Sequence, residues 1–330
     1  MSSNPHDRGM PRRDALRRIA GAGLVLGGCA AAGALGVVSP GRWKLAPGAQ
    51  SPRDFRVPDD PARPRVAIAR AGAVAALVRA SVERVGGIGR FVRRGEAVLV
   101  KPNMAWDRLP EHGANTNPEV VAEVVRLCRE AGAARVVVAD VPCHDEARVA
   151  ERSGIARAAR EAGAEVVLPS GDSFRMTRIG GTVLEDWEVL ATVLAVDRMI
   201  NVPIVKDHGL TRLTCCMKNL YGLLGGRRER LHQQAHESIT DLAAAFRPTL
   251  TIVDATRVMT SGGPTGGRPD NVRLEGAIAA GTDMVALDAW GARLLGVDPA
   301  DVGHIVLAEG RGIGSRATQL DEFTLGGARS

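Results

Sequence analysis

Aromatic residues are scarce in this chain: Phe, Trp and Tyr make up 3% of its 330 residues, with a single tyrosine, Tyr221. Nucleic acid is held by cationic grooves and stacking aromatics, so a nucleic-acid surface lacks its usual support here. The net charge of +6 does not restore it, because residues 1–38 carry five Arg against Asp7 and Asp14 and supply half of that excess. Cysteine is sparse as well: only Cys128, Cys143, Cys215 and Cys216 lie beyond residue 38, and the last two are adjacent. Four such cysteines are not a disulfide framework on which a fold of this size depends. The chain has no G-x-S-x-G, H-E-x-x-H or C-x-x-C, no Walker loop, and no G-x-G-x-x-G after its first strand. Serine-hydrolase, zincin, thioredoxin and dinucleotide-fingerprint readings are therefore without sequence support. Neither a tandem repeat nor a long low-complexity segment is present.

At the N-terminus, paired arginines at Arg12-Arg13 and Arg17-Arg18 precede an apolar Gly/Ala-rich run from Ile19 to Val38. Residues 1–38 are read as a twin-arginine export signal or a membrane anchor, with the export machinery as a partner and membrane attachment through this segment as one outcome. Leu26-Gly27-Gly28-Cys29 resembles a lipoprotein cleavage box, and the small residues near Ala34-Leu35-Gly36 offer a second cleavage position. An uncleaved anchor is the third option, since about 20 apolar residues span a bilayer. The expected location is periplasmic or the outer face of the cytoplasmic membrane. Residues 39–64, rich in Pro, Arg and Asp, read as a linker to an α/β domain over 65–330.

From Arg65 onward, short apolar runs alternate with amphipathic stretches. Val66–Ala69, Ala97–Val100, Arg135–Ala139, Glu165–Leu168, Met199–Val205 and Leu250–Val253 read as buried strands. Gly72–Arg84, Pro118–Ala131, Ile155–Ala162 and Ser238–Phe246 read as helices, the second with Val120, Val121, Val124, Val125, Leu127 and Cys128 on one face. This alternation predicts an α/β fold: a mostly parallel sheet with helices on both faces, Rossmann-like in layering. Ligands in such sheets sit beyond the carboxyl ends of the strands, which points to Lys101-Pro102-Asn103, Asp140 to Asp145, Lys206-Asp207-His208 and Asp254-Ala255-Thr256.

Residues 200–236 concentrate ligand-forming and proton-moving side chains. Lys101 and Lys206 each close an apolar run and would suit a small anionic ligand in one crevice; a desolvated lysine also serves as a base. Either alone is also explained as a strand-end lysine reaching solvent. If Arg212–Leu224 is helical, Leu213, Met217, Leu220 and Leu224 form its buried stripe, and Lys218 and Asn219 stand near a helix start that suits an anion. Cys215 or Cys216 would be a thiolate ligand or nucleophile, or a small buried apolar group. His232 and His236 are four apart, and a helix start at Ser238 and Asp241 leaves both in the preceding loop. Gly262, Gly263 and Gly266 follow Asp254 and permit close backbone approach to a ligand. Asp283 reads as a helix cap, and Asp288 as the partner of a lysine.

The ordered set V-L-V-K-P-N (98–103), N-T-N-P-E-V (115–120), V-V-V-A-D (136–140), N-V-P-I-V-K-D-H (201–208), C-C-M-K-N-L-Y-G (215–222), I-V-D-A-T (252–256), G-G-P-T-G-G-R-P (262–269) and G-T-D-M-V-A-L-D-A (281–289) resembles the domain of unknown function 362 family over about Arg65 to Gly314. The resemblance implies an iron–sulfur association, since family members are often so described and some carry a ferredoxin-like module. This chain departs from those members: it has no C-x-x-C-x-x-C run, so a cluster would need Cys143, Cys215, Cys216 and histidines converging from separate loops. The order of Lys-x-His, glycine turn and later histidine is also loosely similar to that of nickel-cofactor lactate racemases.

Three functions follow from these residues. The first is an exported enzyme or redox protein holding a metal or iron–sulfur cluster, with Cys215, His208 and His236 as ligands. The second is a metal-free enzyme, of isomerase or transferase type, on a small anionic metabolite. There Lys101, Lys206 and Lys218 hold the anion, His208 or Asp288 moves a proton, and Asn103, Asn219, Asp254, Gly262, Gly263 and Gly266 contribute to binding. The third is a periplasmic ligand-binding protein.

Overall fold

The structure, a computed structural model, describes residues 50–326. The export segment and residues 39–49 of the expected linker lie outside the described residues. The rest of that linker is packed onto the domain rather than spacing it. Phe55 is sealed in the core, and its amide donates to the Arg247 carbonyl at 3.1 Å.

Among the described residues twelve strands form: β1 Val66–Arg70, β2 Ala97–Pro102, β3 Arg135–Ala139, β4 Glu165–Val167, β5 Phe174–Arg178, β6 Asp186–Leu190, β7 Arg198–Val202, β8 Ile204–His208, β9 Arg212–Thr214, β10 Leu250–Met259, β11 Val272–Gly281 and β12 Leu320–Thr324. Ten of them make one sheet in the order β12-β1-β11-β10-β7-β2-β3-β4, with β8 pairing β10 and β9, while β5 and β6 form a separate hairpin. The run from β10 through β7, β2 and β3 to β4 is parallel; β11 pairs antiparallel with both β10 and β1. The fold is thus α/β with a mostly parallel central sheet.

Side-chain alternation sorts the core into two layers. From β2, Val98 and Val100 join the layer under helices Val74–Arg84, Pro118–Glu130 and Ile155–Glu161, while Leu99 joins the opposite layer. That second layer holds helices Ala235–Ala245, Met284–Leu294 and Gly303–Gly310. β10 repeats the division, with Ile252 on the first side and Val253 and Ala255 on the second.

Three local readings of the sequence are corrected. The strand expected over Met199–Val205 is split at Pro203, which has no N–H for a ladder; its carbonyl instead accepts the Asp254 amide at 2.8 Å. The helix expected over Arg212–Leu224 is three pieces: β9, a helical turn over Cys216–Asn219 and a 3-10 turn over Leu220–Leu223. Thr214 is held extended opposite Lys206, so helix begins only after it, although Leu213, Met217, Leu220 and Leu224 are all buried as the spacing required. The Ser238 helix starts earlier, at Ala235, and Ser238 lies inside it, donating back to the Gln234 carbonyl at 2.7 Å. Asp241 is no capping partner; it accepts the Val183 and Leu184 amides and pairs with Arg311 at 2.6 Å.

Candidate functional site

A crevice of about 680 Å³ opens where β2, β3 and β8 end, and its walls include Asn103, Trp106, Asp140, Lys206, His208 and Lys218. Strand-end placement is what the parallel sheet dictates. The C-C-M-K-N-L-Y-G stretch (215–222) reaches it because Asp288 accepts the amides of Cys216 (2.6 Å) and Met217 (3.2 Å), fixing the start of that turn. Asp288 therefore caps a turn and pairs with no lysine among the described residues, contrary to expectation. Asp283 caps its helix as expected, accepting the Val285 and Ala286 amides.

Two of the three lysines face the crevice. Lys101 lies beneath it, fully sealed, with Nζ 2.6 Å from Asp140 Oδ1 and 3.0 Å from the Pro102 carbonyl. Burial pushes its pKa down, and the Asp140 charge opposes that shift. Its charge is already matched, which corrects the expectation that Lys101 and Lys206 share the ligand. Lys206 Nζ donates to Asn103 Oδ1 at 3.0 Å and to the Ala114 carbonyl, and stands 5.9 Å from the centre of the Trp106 ring. Burial, aided by the positive charge of Lys218, brings its pKa down to about 7. Lys218 is only 8% exposed, and its Nζ has no hydrogen-bond acceptor among the described residues; the Tyr221 ring lies 4.6 Å away. Burial, then Arg228, lowers its pKa to about 8.

His208 closes β8. Its Nδ1 accepts the Leu210 amide at 3.1 Å and the Thr211 amide at 3.4 Å, which assigns the hydrogen to Nε2. Burial lowers its pKa to about 3, with Lys218 and Lys206 adding to the shift, so the ring is a neutral donor at neutral pH. Asn103 and Asn219 also line the crevice, but their amides serve the scaffold. Asn103 Nδ2 donates to Asn219 Oδ1 at 3.0 Å, and Asn219 Nδ2 donates to Asn201 Oδ1 at 2.9 Å. Asn201 in turn donates to the Cys216 carbonyl at 3.0 Å.

Sequence reasoning missed Arg228, Trp106 and Asn201. Arg228 bonds the Val141 carbonyl at 2.8 Å, the Pro142 carbonyl at 2.5 Å and Cys143 Sγ at 3.3 Å, pinning the loop after β3. No local pattern marked it, because the loop it pins lies more than 80 residues away. The uniqueness of Tyr221 was the one signal available for the ring beside Lys218. His232, an exposed residue, lines the crevice mouth as well, and partial desolvation lowers its pKa.

Other expected site residues lie elsewhere. Asp254 is fully buried away from the crevice, accepting the Asn117 and Thr256 amides at 2.7 and 2.9 Å, and burial raises its pKa. Gly262, Gly263 and Gly266 contact protein, not the crevice. A Cβ on Gly263 would lie 1.8 Å from the Asp207 carbonyl oxygen, and one on Gly266 would lie 2.5 Å from Met259 Cε. These glycines let the loop press against β8 and β10, while their neighbours Pro264 and Thr265 reach the crevice mouth. His236 is turned away from the crevice toward His304, with the two Nδ1 atoms 3.3 Å apart.

The expected metal ligands Cys215, His208 and His236 do not converge. Among the described residues, the group that does is Cys215, Cys216 and Asp288, whose donor atoms lie within 4.8 Å of one another. An iron–sulfur cluster does not fit these thiols. Cys128 is in one core layer, Cys143 is at the crevice, and Cys215 and Cys216 are in the other core layer.

Fold and site together define an α/β protein with a lysine-lined crevice at the carboxyl edge of a mostly parallel sheet. Residues 98–293 match the family described as Domain of unknown function (DUF362), and the chain belongs to that family. It is 31% identical over 266 residues to a thylakoid-associated protein of Synechocystis sp., with 76% of this chain and 78% of that protein covered. Among solved structures it is similar to the lactate racemase apoprotein of Thermoanaerobacterium thermosaccharolyticum (12% identity, TM-score 0.41), covering 74% of this chain and 61% of that one. A protein from Thermotoga maritima is similar at 10% identity and a TM-score of 0.36, with 72% and 58% covered. These two likenesses carry no functional argument.

Proposed function

We propose that the chain is an enzyme that binds a small organic anion in this crevice and moves a proton with Lys206, in a reaction of isomerase type. The observation that carries the reading is Lys218: a side chain more than nine-tenths buried, whose ammonium opens into the crevice and has no acceptor among the described residues. An uncompensated buried charge is costly, and an anionic ligand removes that cost.

Lys206 suits a base. As a neutral amine it has two hydrogens, and Asn103 Oδ1 and the Ala114 carbonyl take both. Its lone pair is then the remaining feature directed at the crevice. With the substrate carboxylate on Lys218, Lys206 takes a proton from the carbon next to the substrate's carbonyl group. The electron pair moves onto the substrate carbonyl oxygen, where the His208 Nε2–H donates to the developing charge. Returning the proton to a different carbon or face completes an isomerisation without any other reactant.

The test follows solvent deuterium incorporation into pyruvate, 2-oxoglutarate and acetoacetate by NMR. At least one should exchange faster than in buffer, and Lys206→Met should abolish the acceleration. Stabilisation by these anions without exchange would assign the crevice to a ligand-binding protein; the absence of both exchange and stabilisation would overturn the anion reading.

The same proposal places the chain outside the cytoplasm or on the membrane surface. Arg12-Arg13 before the Ile19–Val38 run supports it, and the thylakoid association of the Synechocystis relative is compatible with it. Among the described residues no helix is long and apolar enough to cross a membrane. A reporter fused behind residues 1–45 should be exported, and replacing Arg12 and Arg13 by lysine should retain it in the cytoplasm.

A further inference from the structure

We infer that Cys215, Cys216 and Asp288 form a sealed binding site for a thiophilic divalent cation of the zinc class, separate from the crevice. Neither cysteine nor Asp288 lines that crevice, and all three side chains are fully buried.

Neighbouring residues of a regular helix point in different directions, so two adjacent cysteines do not ordinarily share a ligand. Here the backbone changes at their junction. Cys215 has φ −156° and ψ −137°, and Cys216 is the first residue of the helical turn. Their sulfurs consequently meet, 3.6 Å apart. Two thiolates on one tetrahedral zinc, each about 2.3 Å from it, are separated by about 3.8 Å. The pair is therefore already spaced as two edge-sharing ligands.

Asp288 arrives from the Met284–Leu294 helix, and its donor oxygen lies within 4.8 Å of both sulfurs. Each oxygen accepts a backbone amide, from Cys216 and Met217, which orients the carboxylate as outer-shell bonds orient metal ligands. Binding through one or both oxygens gives a set of three or four donors. Beside the same carboxylate sits His304, fully buried, with Nε2 3.6 Å from Asp288 Oδ2 and no hydrogen-bond partner among the described residues. Its other ring nitrogen faces His236 Nδ1, which already accepts the His304 amide at 3.1 Å. The buried imidazole thus stands beside the carboxylate as an outer neighbour, just beyond hydrogen-bond distance.

A cation there would tie the Cys216–Asn219 turn to the Met284–Leu294 helix. That turn carries Lys218 and Asn219 into the crevice, so the role is structural. Because the site is sealed, loading belongs to folding rather than to the folded state.

The experiment uses the full chain, expressed in zinc-supplemented medium and dialysed natively against EDTA before metal analysis by mass spectrometry. About one zinc per chain should survive dialysis and be released on unfolding. The Cys215→Ser/Cys216→Ser variant should lose at least tenfold of it. Since that variant could fail to fold, the wild-type chain is also refolded with cadmium, where a thiolate-to-metal charge-transfer band should appear in proportion to bound metal. Lys206→Met and Lys218→Met should keep their zinc, which separates this site from the crevice reading. Less than a tenth of a metal per chain after refolding with zinc and no cadmium band would overturn the inference. So would full zinc retention in the folded double-serine variant.

Discussion

Lys101 and Asp140 form an ion pair of 2.6 Å whose side chains are 0% and 2% exposed, and Gly222 is the residue that leaves room for it. A Cβ at Gly222 would lie 1.7 Å from Asp140 Oδ1 and 2.6 Å from Lys101 Nζ. The pair holds the floor of the crevice, since Asp140 Oδ2 also accepts the Met104 amide at 2.7 Å.

Breaking that pair leaves a buried ammonium without its counter-charge. Asp140→Asn should lower the unfolding free energy by about 3–5 kcal/mol. Gly222→Ala should be damaging too, because relieving the clash means moving Asp140 Oδ1 and Lys101 Nζ, the two ends of the same pair. Urea unfolding of both variants checks this.

Lys218 predicts a change of the opposite sign. Its folded pKa, about 8, is below its unfolded value, so the folded state binds fewer protons between about 8 and 10.4 and wild-type stability rises with pH across that window. Lys218→Met removes the buried charge. It should stabilise the ligand-free protein by about 1–3 kcal/mol below pH 8, a gain that shrinks toward pH 10. The same variant should bind carboxylate anions at least tenfold more weakly. Thermal melts across pH, with and without 2-oxoglutarate, report both effects.

Proton exchange should have a bell-shaped pH profile. Lys206 must lose its proton, so the rate rises through about 7; Lys218 must keep its own, so anion binding falls above about 8. kcat/KM for exchange should therefore peak between these values. His208→Gln should lower the plateau without moving its acid limb, because His208 is neutral throughout this range.

Gly263→Ala tests the loop that carries Pro264 and Thr265. A Cβ there meets the Asp207 backbone oxygen at 1.8 Å, so the loop must leave β8. Limited proteolysis should cut the variant between β10 and β11 faster than the wild type, with a lower Tm.

Much of this architecture was legible in the sequence. The strand and helix periods placed the layers, and the strand-end rule placed Asp140, Lys206 and His208 beside one another. What local pattern could not supply was the choice made by distant partners. Leu213, Met217, Leu220 and Leu224 have helical spacing and are all buried, yet Asp288, more than 60 residues away, decides where the helical turn begins. Lys101 and Lys206 looked equivalent as strand-end lysines. Asp140 takes Lys101, and Lys218 becomes the second crevice cation in its place. The glycines after Asp254 signalled close approach correctly, but the approaching surface is β8 and Met259, not a ligand.

The most direct test of the crevice reading is an NMR titration of the lysine side chains in 13C-lysine-labelled full-length protein, assigned with Lys206→Met and Lys218→Met. Lys206 and Lys218 should titrate near 7 and 8, and adding 2-oxoglutarate should move Lys218 upward. Both lysines titrating above 10, unchanged by the anion, would contradict the account.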